Sequence, residues 1–288
     1  MAHISVSDLK KQISNSSFGG FYFLFGQEKY LIKQYTQNLI SSILCSNIND
    51  FNFKAFNSEE LNLRELEDAI ETVPFLSPNK CILVQDLDID SLSSEEIKRL
   101  KEIIANIPAQ TVLIFSHMTL EVDMKKSSKL KAFLKSLENI GSFVEFTKLS
   151  KSDLAKYLIK LAEKADKELS QANAYKLIDF CGENLLDLKN ELEKLVAFST
   201  AEKILSEDID QVASKKLEAN IFDLSKAISQ KNLKKALGIL NILLDKKEEP
   251  IAIVSLIASA FIDIYRTKVC HATGVPIKEI ANHFDYKR

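Results

Sequence analysis

The stretch Phe21-Tyr22-Phe23-Leu24-Phe25-Gly26-Gln27-Glu28-Lys29-Tyr30-Leu31-Ile32-Lys33 decides the fold class of this chain. An apolar, aromatic run that ends in glycine and leads into a helical pattern is typical of the first strand and turn of phosphate-binding α/β domains. A P-loop at this place needs the pattern G-x-x-x-x-G-K-[ST]. Only Gly26 remains of that pattern, and the Glu28 carboxylate would repel a phosphate. The stretch therefore predicts an α/β fold that lacks the residues for nucleotide hydrolysis.

Apolar runs continue the alternation of strands and helices as far as residue 149. Strand patterns fall at 50–56, 80–86, 111–115 and 142–146, and helical periodicity separates them. A short helix capped by Ser7 is expected before the first strand. Buried strands joined by helices form parallel sheets that are covered on both faces. Residues 1–149 therefore predict a mostly parallel five-stranded sheet domain without a P-loop.

Strand patterns stop after Leu149, and amphipathic helical patterns follow. Those at 152–166, 171–180, 185–198 and 204–212 predict a small helical domain over residues 150–214. Those at 221–229, 233–244 and 250–269 predict a second all-α domain over residues 215–288, with Pro250 at a helix start.

The longest uncharged apolar run is 250–262. Its length of about 13 residues falls short of the roughly 20 that a membrane-spanning helix needs. We therefore expect a buried core helix there and no membrane association.

Composition places the chain among helix-rich globular proteins. It has 288 residues, of which 46% are hydrophobic, and only 7 Gly and 5 Pro interrupt them. Four cysteines without a C-x-x-C pair predict neither a disulfide framework nor a zinc site. The first residues lack the pattern of a signal peptide, so a cytoplasmic protein is expected.

The charge of the chain gives no general attraction for nucleic acid, because the formal net charge is −2. Residues 215–288 differ, with 13 basic and 8 acidic residues and a local balance of +5. Such a segment approaches phosphates only if its charges share one face, and a solvated helical surface is the favoured interpretation. The lysine run 125–135 has no interleaved aromatic residues, so a solvated face is again favoured over a nucleic-acid groove.

Residues that would carry chemistry are incomplete. Asp86 and Asp88 follow a buried strand, where an ATPase places the acids that hold magnesium, but Gln85 precedes them and no glutamate follows. A solvated acidic turn is the favoured interpretation. The four histidines are too scattered to predict a metal cluster or a nucleophile with its base.

The segment Thr72-Val73-Pro74-Phe75-Leu76-Ser77-Pro78-Asn79 has two large apolar residues where polar turn residues are expected. Two interpretations are open. The loop folds back on its own core, or Phe75 and Leu76 form a hydrophobic plug for a pocket on another protein.

Several stretches together resemble the delta subunit family of the bacterial DNA polymerase III clamp loader. The resemblance covers most of the chain, and the order and spacing of its segments are more specific than any one of them. It is carried by Phe21 to Ile32, Pro74-Phe75-Leu76-Ser77, Lys80 to Val84, Asp123 to Leu134, Gly182 to Leu195, Asn220 to Leu224 and Glu248 to Ala252.

This resemblance implies an AAA+-like α/β domain without ATPase activity or a cofactor, a helical lid over 150–214 and a helical collar over 215–288. Pro74, Phe75 and Leu76 match the clamp-binding element of the family, with Phe and Leu in swapped order. The implied partners are the sliding clamp (beta subunit), the gamma/tau and delta-prime loader subunits through the collar, and primed DNA in the assembled complex. The implied role is to open the clamp within a holoenzyme that is a DNA-directed DNA polymerase.

Two departures and two alternatives accompany the resemblance. Leu186 stands where relatives often carry Arg, and the chain ends before the final collar helices that we expect, which predicts a truncated collar. An AAA+ ATPase with a degenerate site is one alternative. A delta-prime-like adaptor is the other, although zinc-binding cysteines and a Ser-Arg-Cys motif are not found in the sequence.

Overall fold

A computed structural model describes residues 3–45, 51–120, 127–276 and 279. The chain divides into two compact units, Met1–Leu149 and Ser150–Arg288.

The first unit alternates helices and strands along the chain. Its elements are α1 (Val6–Ser14), β1 (Phe21–Gly26), α2 (Lys29–Ile43), β2 (Phe53–Asn57), α3 (Leu63–Glu71), β3 (Lys80–Gln85), α4 (Ser94–Ala105), β4 (Thr111–Ser116), α5 (Ser128–Ser136) and β5 (Gly141–Phe146). Each strand lies within two or three residues of its predicted position.

The five strands form one sheet in the order β2-β3-β4-β1-β5, and every neighbouring pair is parallel. The prediction of a mostly parallel five-stranded sheet is confirmed. Every residue of β1 is buried, because β1 lies between β4 and β5 and helices cover both faces. Its carboxyl end, Gly26, lies beside Phe146 of β5, so the turn into α2 meets the end of the edge strand.

Aromatic side chains dominate the core of this unit. Phe21, Phe23, Phe115 and Phe143 are fully buried, and Phe21 meets Phe115 edge to face with ring centroids 5.1 Å apart. Edge-to-face pairs of this kind add to the free energy that burial of the rings contributes. The Phe-rich run that predicted β1 is therefore also the centre of the core.

The cap of α1 corrects one prediction. Ser5, and not Ser7, is the N-cap residue, and its hydroxyl accepts a hydrogen bond from the Asp8 amide while the Asp8 carboxylate accepts from the Ser5 amide. The reason is the capping box, in which an acidic residue three positions after the cap completes the reciprocal pair.

The second unit is mainly helical. Its elements are α6 (Lys151–Glu163), β6 (Glu168–Leu169), α7 (Gln171–Cys181), α8 (Leu185–Phe198), β7 (Lys203–Ile204), α9 (Ser206–Val212), α10 (Leu217–Ser229), α11 (Leu233–Asp245) and α12 (Pro250–Ala272). The parallel pair β6-β7 contradicts the expectation that strands end at Leu149. A two-residue strand is too short to leave a periodic pattern in the sequence.

Helices α10, α11 and α12 share a small apolar core. Its buried members include Leu224, Leu243 and Ile253. The boundary between a lid and a collar within the second unit stays a prediction.

The expectation of a buried core helix at 250–262 is wrong. Of the whole of α12, only Ile253 and Cys270 are buried, whereas Ile251 and Tyr265 are 81% and 68% exposed. By length and composition alone, α12 also meets the requirement for a membrane span, which is weak evidence for one. Apolarity on every side predicts that a helix is covered, but it does not tell whether its own chain covers it.

Candidate functional site

The turn after β1, where an ATPase would bind phosphate, is closed by the chain itself. The amides of Gln27 and Glu28 both donate to the carbonyl oxygen of Phe146, at 2.8 and 3.0 Å. Glu28 is the N-cap residue of α2 and Gln27 precedes it, so these two amides lie directly before the first turn, where a phosphate would bind. Gly26 has a φ of +133°, and a Cβ there would collide with the Phe146 backbone. A phosphate that bound the Gln27 and Glu28 amides would have to displace this carbonyl.

Lys29 reinforces the closed turn. Its Nζ donates to the carbonyl oxygens of His117, at 3.2 Å, and Leu120, at 2.5 Å. Burial raises the pKa of Glu28, one residue before it, and the charge of Lys148 partly offsets this increase. The ammonium group therefore binds the loop after β4, which is a structural role.

Asp86 has a structural role of the same kind. Its carboxylate accepts hydrogen bonds from the Thr119 amide, the Thr119 hydroxyl and the Leu120 amide, at 2.8, 2.9 and 3.0 Å. Burial raises the pKa of this carboxyl, but those three bonds outweigh burial and lower it. The prediction of a solvated acidic turn is corrected for Asp86, because its oxygens are bonded to the chain.

The segment that we call the apolar loop (residues 72–79) leads from α3 into β3. Leu76 is 92% exposed and Phe75 is 55% exposed, which contradicts the interpretation that this pair folds back on the core. Leu76 also has a φ of +50°, a left-handed conformation that costs a non-glycine residue about 1 kcal/mol. Seven non-glycine residues in the described part of the chain have a positive φ, so it is the exposure of Leu76 together with its φ that makes the loop a candidate binding site.

Contacts from outside the loop hold its backbone in place. The Asn52 side chain, which is buried, accepts from the Phe75 amide and donates to the Phe75 carbonyl, both at 2.7 Å. The Lys80 Nζ donates to the Thr72 carbonyl at 3.3 Å. Burial lowers the pKa of Lys80, and the nearby charge of Lys54 lowers it further.

Two more exposed side chains extend the apolar surface of the loop. The Phe51 ring lies 5.3 Å from the Phe75 ring, and Phe51 and Val73 are 70% and 76% exposed. Together with Phe75 and Leu76 they form what we call the apolar patch. Pro74 lies in the same loop and is half-buried. The loop precedes β3, so the patch lies at the amino edge of the sheet, opposite the closed turn at its carboxyl edge.

The basic segments separate into structural and solvated residues. Lys129 donates to the carbonyls of Asp90 and Leu92, while Lys125 and Lys126 lie outside the described residues. In the second unit, Lys215 pairs with Asp223 at 2.9 Å and Lys216 pairs with Asp187 at 3.0 Å. These three lysines are therefore bonded within the chain, and the interpretation of the basic segments as solvated surfaces stays a prediction.

Sequence reasoning found Phe75 and Leu76 but missed Asn52 and Phe51. Asn52 lies 23 positions before Phe75 and bonds to its backbone, so no side-chain pattern relates the two. A signal for Phe51 existed, because it is an aromatic residue just before an edge strand.

The fold and the closed turn define the class of this protein. It is an α/β protein with a parallel five-stranded sheet and no P-loop pattern at the first turn, followed by a mainly helical second unit. A solved structure titled Bacillus subtilis DNA clamp loader delta protein has a similar fold, with a TM-score of 0.64, 24% sequence identity, and coverage of 97% of this chain and 83% of that chain.

Comparison with protein families gives the particular identity. The family described as DNA polymerase III, delta subunit matches residues 22–147, and the C-terminal domain of the DNA polymerase III delta subunit matches residues 218–288. The chain belongs to the DNA polymerase III delta subunit family.

Two relatives agree with this assignment. The DNA polymerase III subunit delta of Bacillus subtilis is 26% identical over 284 residues, which is 96% of this chain and 81% of the relative. The probable DNA polymerase III subunit delta of Aquifex aeolicus is 25% identical over 263 residues, 88% of this chain and 72% of the relative.

Proposed function

We propose that this chain binds the sliding clamp through Pro74, Phe75 and Leu76 and holds the ring open for loading onto primed DNA. The observation that carries the proposal is Leu76, which is 92% exposed in a strained conformation beside the exposed Phe75. Contact with water does not stabilise two large apolar side chains on a loop that is fixed by hydrogen bonds. Burial in a hydrophobic pocket of a partner protein would stabilise them.

Opening of the ring needs no hydrolysis in this chain. A subunit that binds the open form of the clamp better than the closed form shifts the population toward the open form. The shift cannot exceed the difference between the two binding free energies. A loop fixed in one conformation suits this task, because it binds a pocket without first losing conformational entropy.

The C-terminal helices supply the second surface of the proposal. Phe222, Leu233 and Ile251 are 69%, 70% and 81% exposed, on α10, α11 and α12 respectively. We propose that this surface joins the gamma/tau and delta-prime subunits in the cytoplasmic loader, where burial stabilises the assembly. Primed DNA is proposed as a ligand of the assembled complex, as the resemblance to the family implies.

The test is direct binding to the sliding clamp in the absence of nucleotide. The clamp of the same organism is immobilised on a biosensor, and the purified chain is compared with the Phe75→Ala, Leu76→Ala double variant. Leu205→Ala is the matched control, because Leu205 is also exposed, at 49%, but belongs to the second unit.

We expect the wild type and Leu205→Ala to bind equally and the double variant to lose binding while its far-ultraviolet circular dichroism stays unchanged. Binding by the double variant at wild-type affinity would remove Phe75 and Leu76 from the proposal. No binding by the wild type would remove the proposal itself.

A further inference from the structure

We infer that Asn52 is a positioning residue for clamp binding, which holds the apolar loop in the conformation that the clamp recognises. The inference rests on the function proposed above. Asn52 is buried and does not belong to the exposed pair, so its effect on binding acts through the backbone of Phe75, to which its side chain bonds.

The geometry of Asn52 is that of a backbone mimic. Its amide group both accepts from the Phe75 N–H and donates to the Phe75 carbonyl at 2.7 Å, as a neighbouring strand would. The backbone of Asn52 is itself fixed, because its carbonyl accepts from the Cys81 amide at 2.9 Å. The side chain therefore attaches the loop to the sheet through hydrogen bonds.

The strain at Leu76 explains why such a restraint is needed. The next residue after Phe75 has a φ of +50°, which an unrestrained loop would relieve by rotating to negative φ. That rotation would move the exposed Leu76 side chain away from its present direction. With Phe75 bonded at both its amide and its carbonyl, the loop cannot relax next to Leu76 without breaking a hydrogen bond.

The expected effect follows from the population of the competent loop. If the loop of a variant occupies this conformation only part of the time, its apparent affinity falls by that fraction. Loss of two hydrogen bonds of ordinary strength corresponds to about a 30-fold decrease in affinity for Asn52→Ala.

The experiment compares Asn52→Ala and Asn52→Asp with the wild type by clamp binding and by hydrogen exchange. Asn57→Ala is the matched control, because Asn57 is an exposed asparagine at the other end of β2 and its side chain caps no helix. In Asn52→Ala we expect fast exchange of the Phe75 amide. The Cys81 amide should stay protected, because it donates to the backbone of residue 52 and not to its side chain.

The Asn52→Asp variant separates positioning from a general loss of structure. At pH 7.5 the introduced carboxylate can accept from the Phe75 amide but cannot donate to the Phe75 carbonyl, so affinity falls. A protonated carboxyl has both functions. The affinity of the Asn52→Asp variant for the clamp, relative to the wild type, should therefore recover as the pH is lowered to about 5, because burial raises the pKa of a carboxyl.

The outcomes separate this inference from the proposed function. Asn52→Ala binding within twofold of the wild type, or loss of Cys81 protection together with Phe75 protection, would overturn the inference. If the Phe75→Ala, Leu76→Ala double variant no longer binds in the same series, the proposed function stands while the inference fails. If that double variant binds like the wild type, the proposed function fails first.

Discussion

The two residues of the exposed pair are expected to contribute differently to binding and to stability. Complete burial of a Leu or Phe side chain contributes about 1.5–3 kcal/mol. Leu76 is 92% exposed, so docking can bury nearly all of it, and Leu76→Ala should weaken clamp binding about 10- to 100-fold. Phe75 is already half-buried, with 55% exposed, so Phe75→Ala should weaken binding only roughly 4- to 16-fold.

The order is reversed for the free energy of unfolding. Leu76→Ala removes a side chain that makes little contact within the chain, so the free energy of unfolding should change by less than about 0.5 kcal/mol. Phe75→Ala removes the ring that lies 5.3 Å from Phe51 and should cost about 0.5–1.5 kcal/mol.

The assay is a pair of measurements on the same proteins. Biosensor titration with the immobilised clamp gives the affinities, and urea unfolding gives the free energies, with Leu205→Ala as the exposed-leucine control. An equal or larger loss of affinity for Phe75→Ala than for Leu76→Ala would refute the reasoning, because affinity would not follow the exposed area.

Two further predictions concern the interior of the first unit. Gly26→Ala should lower the free energy of unfolding by roughly 2–4 kcal/mol in urea titrations, because its φ of +133° and the Phe146 backbone leave no room for a Cβ; a change below 1 kcal/mol would contradict this. His117 is buried, and its Nδ1 has no hydrogen-bond partner among the described residues. Burial is the main cause that lowers the pKa of this imidazole, so the unfolded chain binds the proton more readily than the folded chain. The free energy of unfolding should therefore fall as the pH drops below about 6.5. His117→Gln should reduce this pH dependence in urea titrations between pH 7.5 and 5, and an unchanged slope would assign it to other groups.

The sheet was predictable because its evidence is local. Each strand is a short apolar run, and each helix between strands shows its period within a dozen residues. The apolar loop was predictable for the same reason, since Phe75 and Leu76 stand between two prolines where polar residues are expected. The exposure of the pair was left open by the sequence, because an apolar loop residue has the same pattern whether it meets its own core or a partner.

The remaining features depend on contacts that sequence order hides. Asn52 bonds to the backbone of Phe75, and backbone atoms leave no trace in residue types. The closed turn depends on the Phe146 carbonyl, more than a hundred residues after Gly26. For α12, hydrophobicity correctly predicted a helix but wrongly predicted that the helix is buried.

The positions of the closed turn and the apolar loop bear on how loading is controlled. In α/β sheets ligands bind at the carboxyl edge of the strands, and in this chain the Phe146 carbonyl bonds to the turn after β1 and the Lys29 ammonium group bonds to the loop after β4 at that edge. The apolar loop lies at the amino edge and is held by Asn52 and Lys80, neither of which touches the turn. Allosteric control needs a second ligand that distinguishes two states of the site. This turn lacks the P-loop pattern, so under the proposed function we expect any dependence of clamp binding on nucleotide to come from the other subunits of the loader.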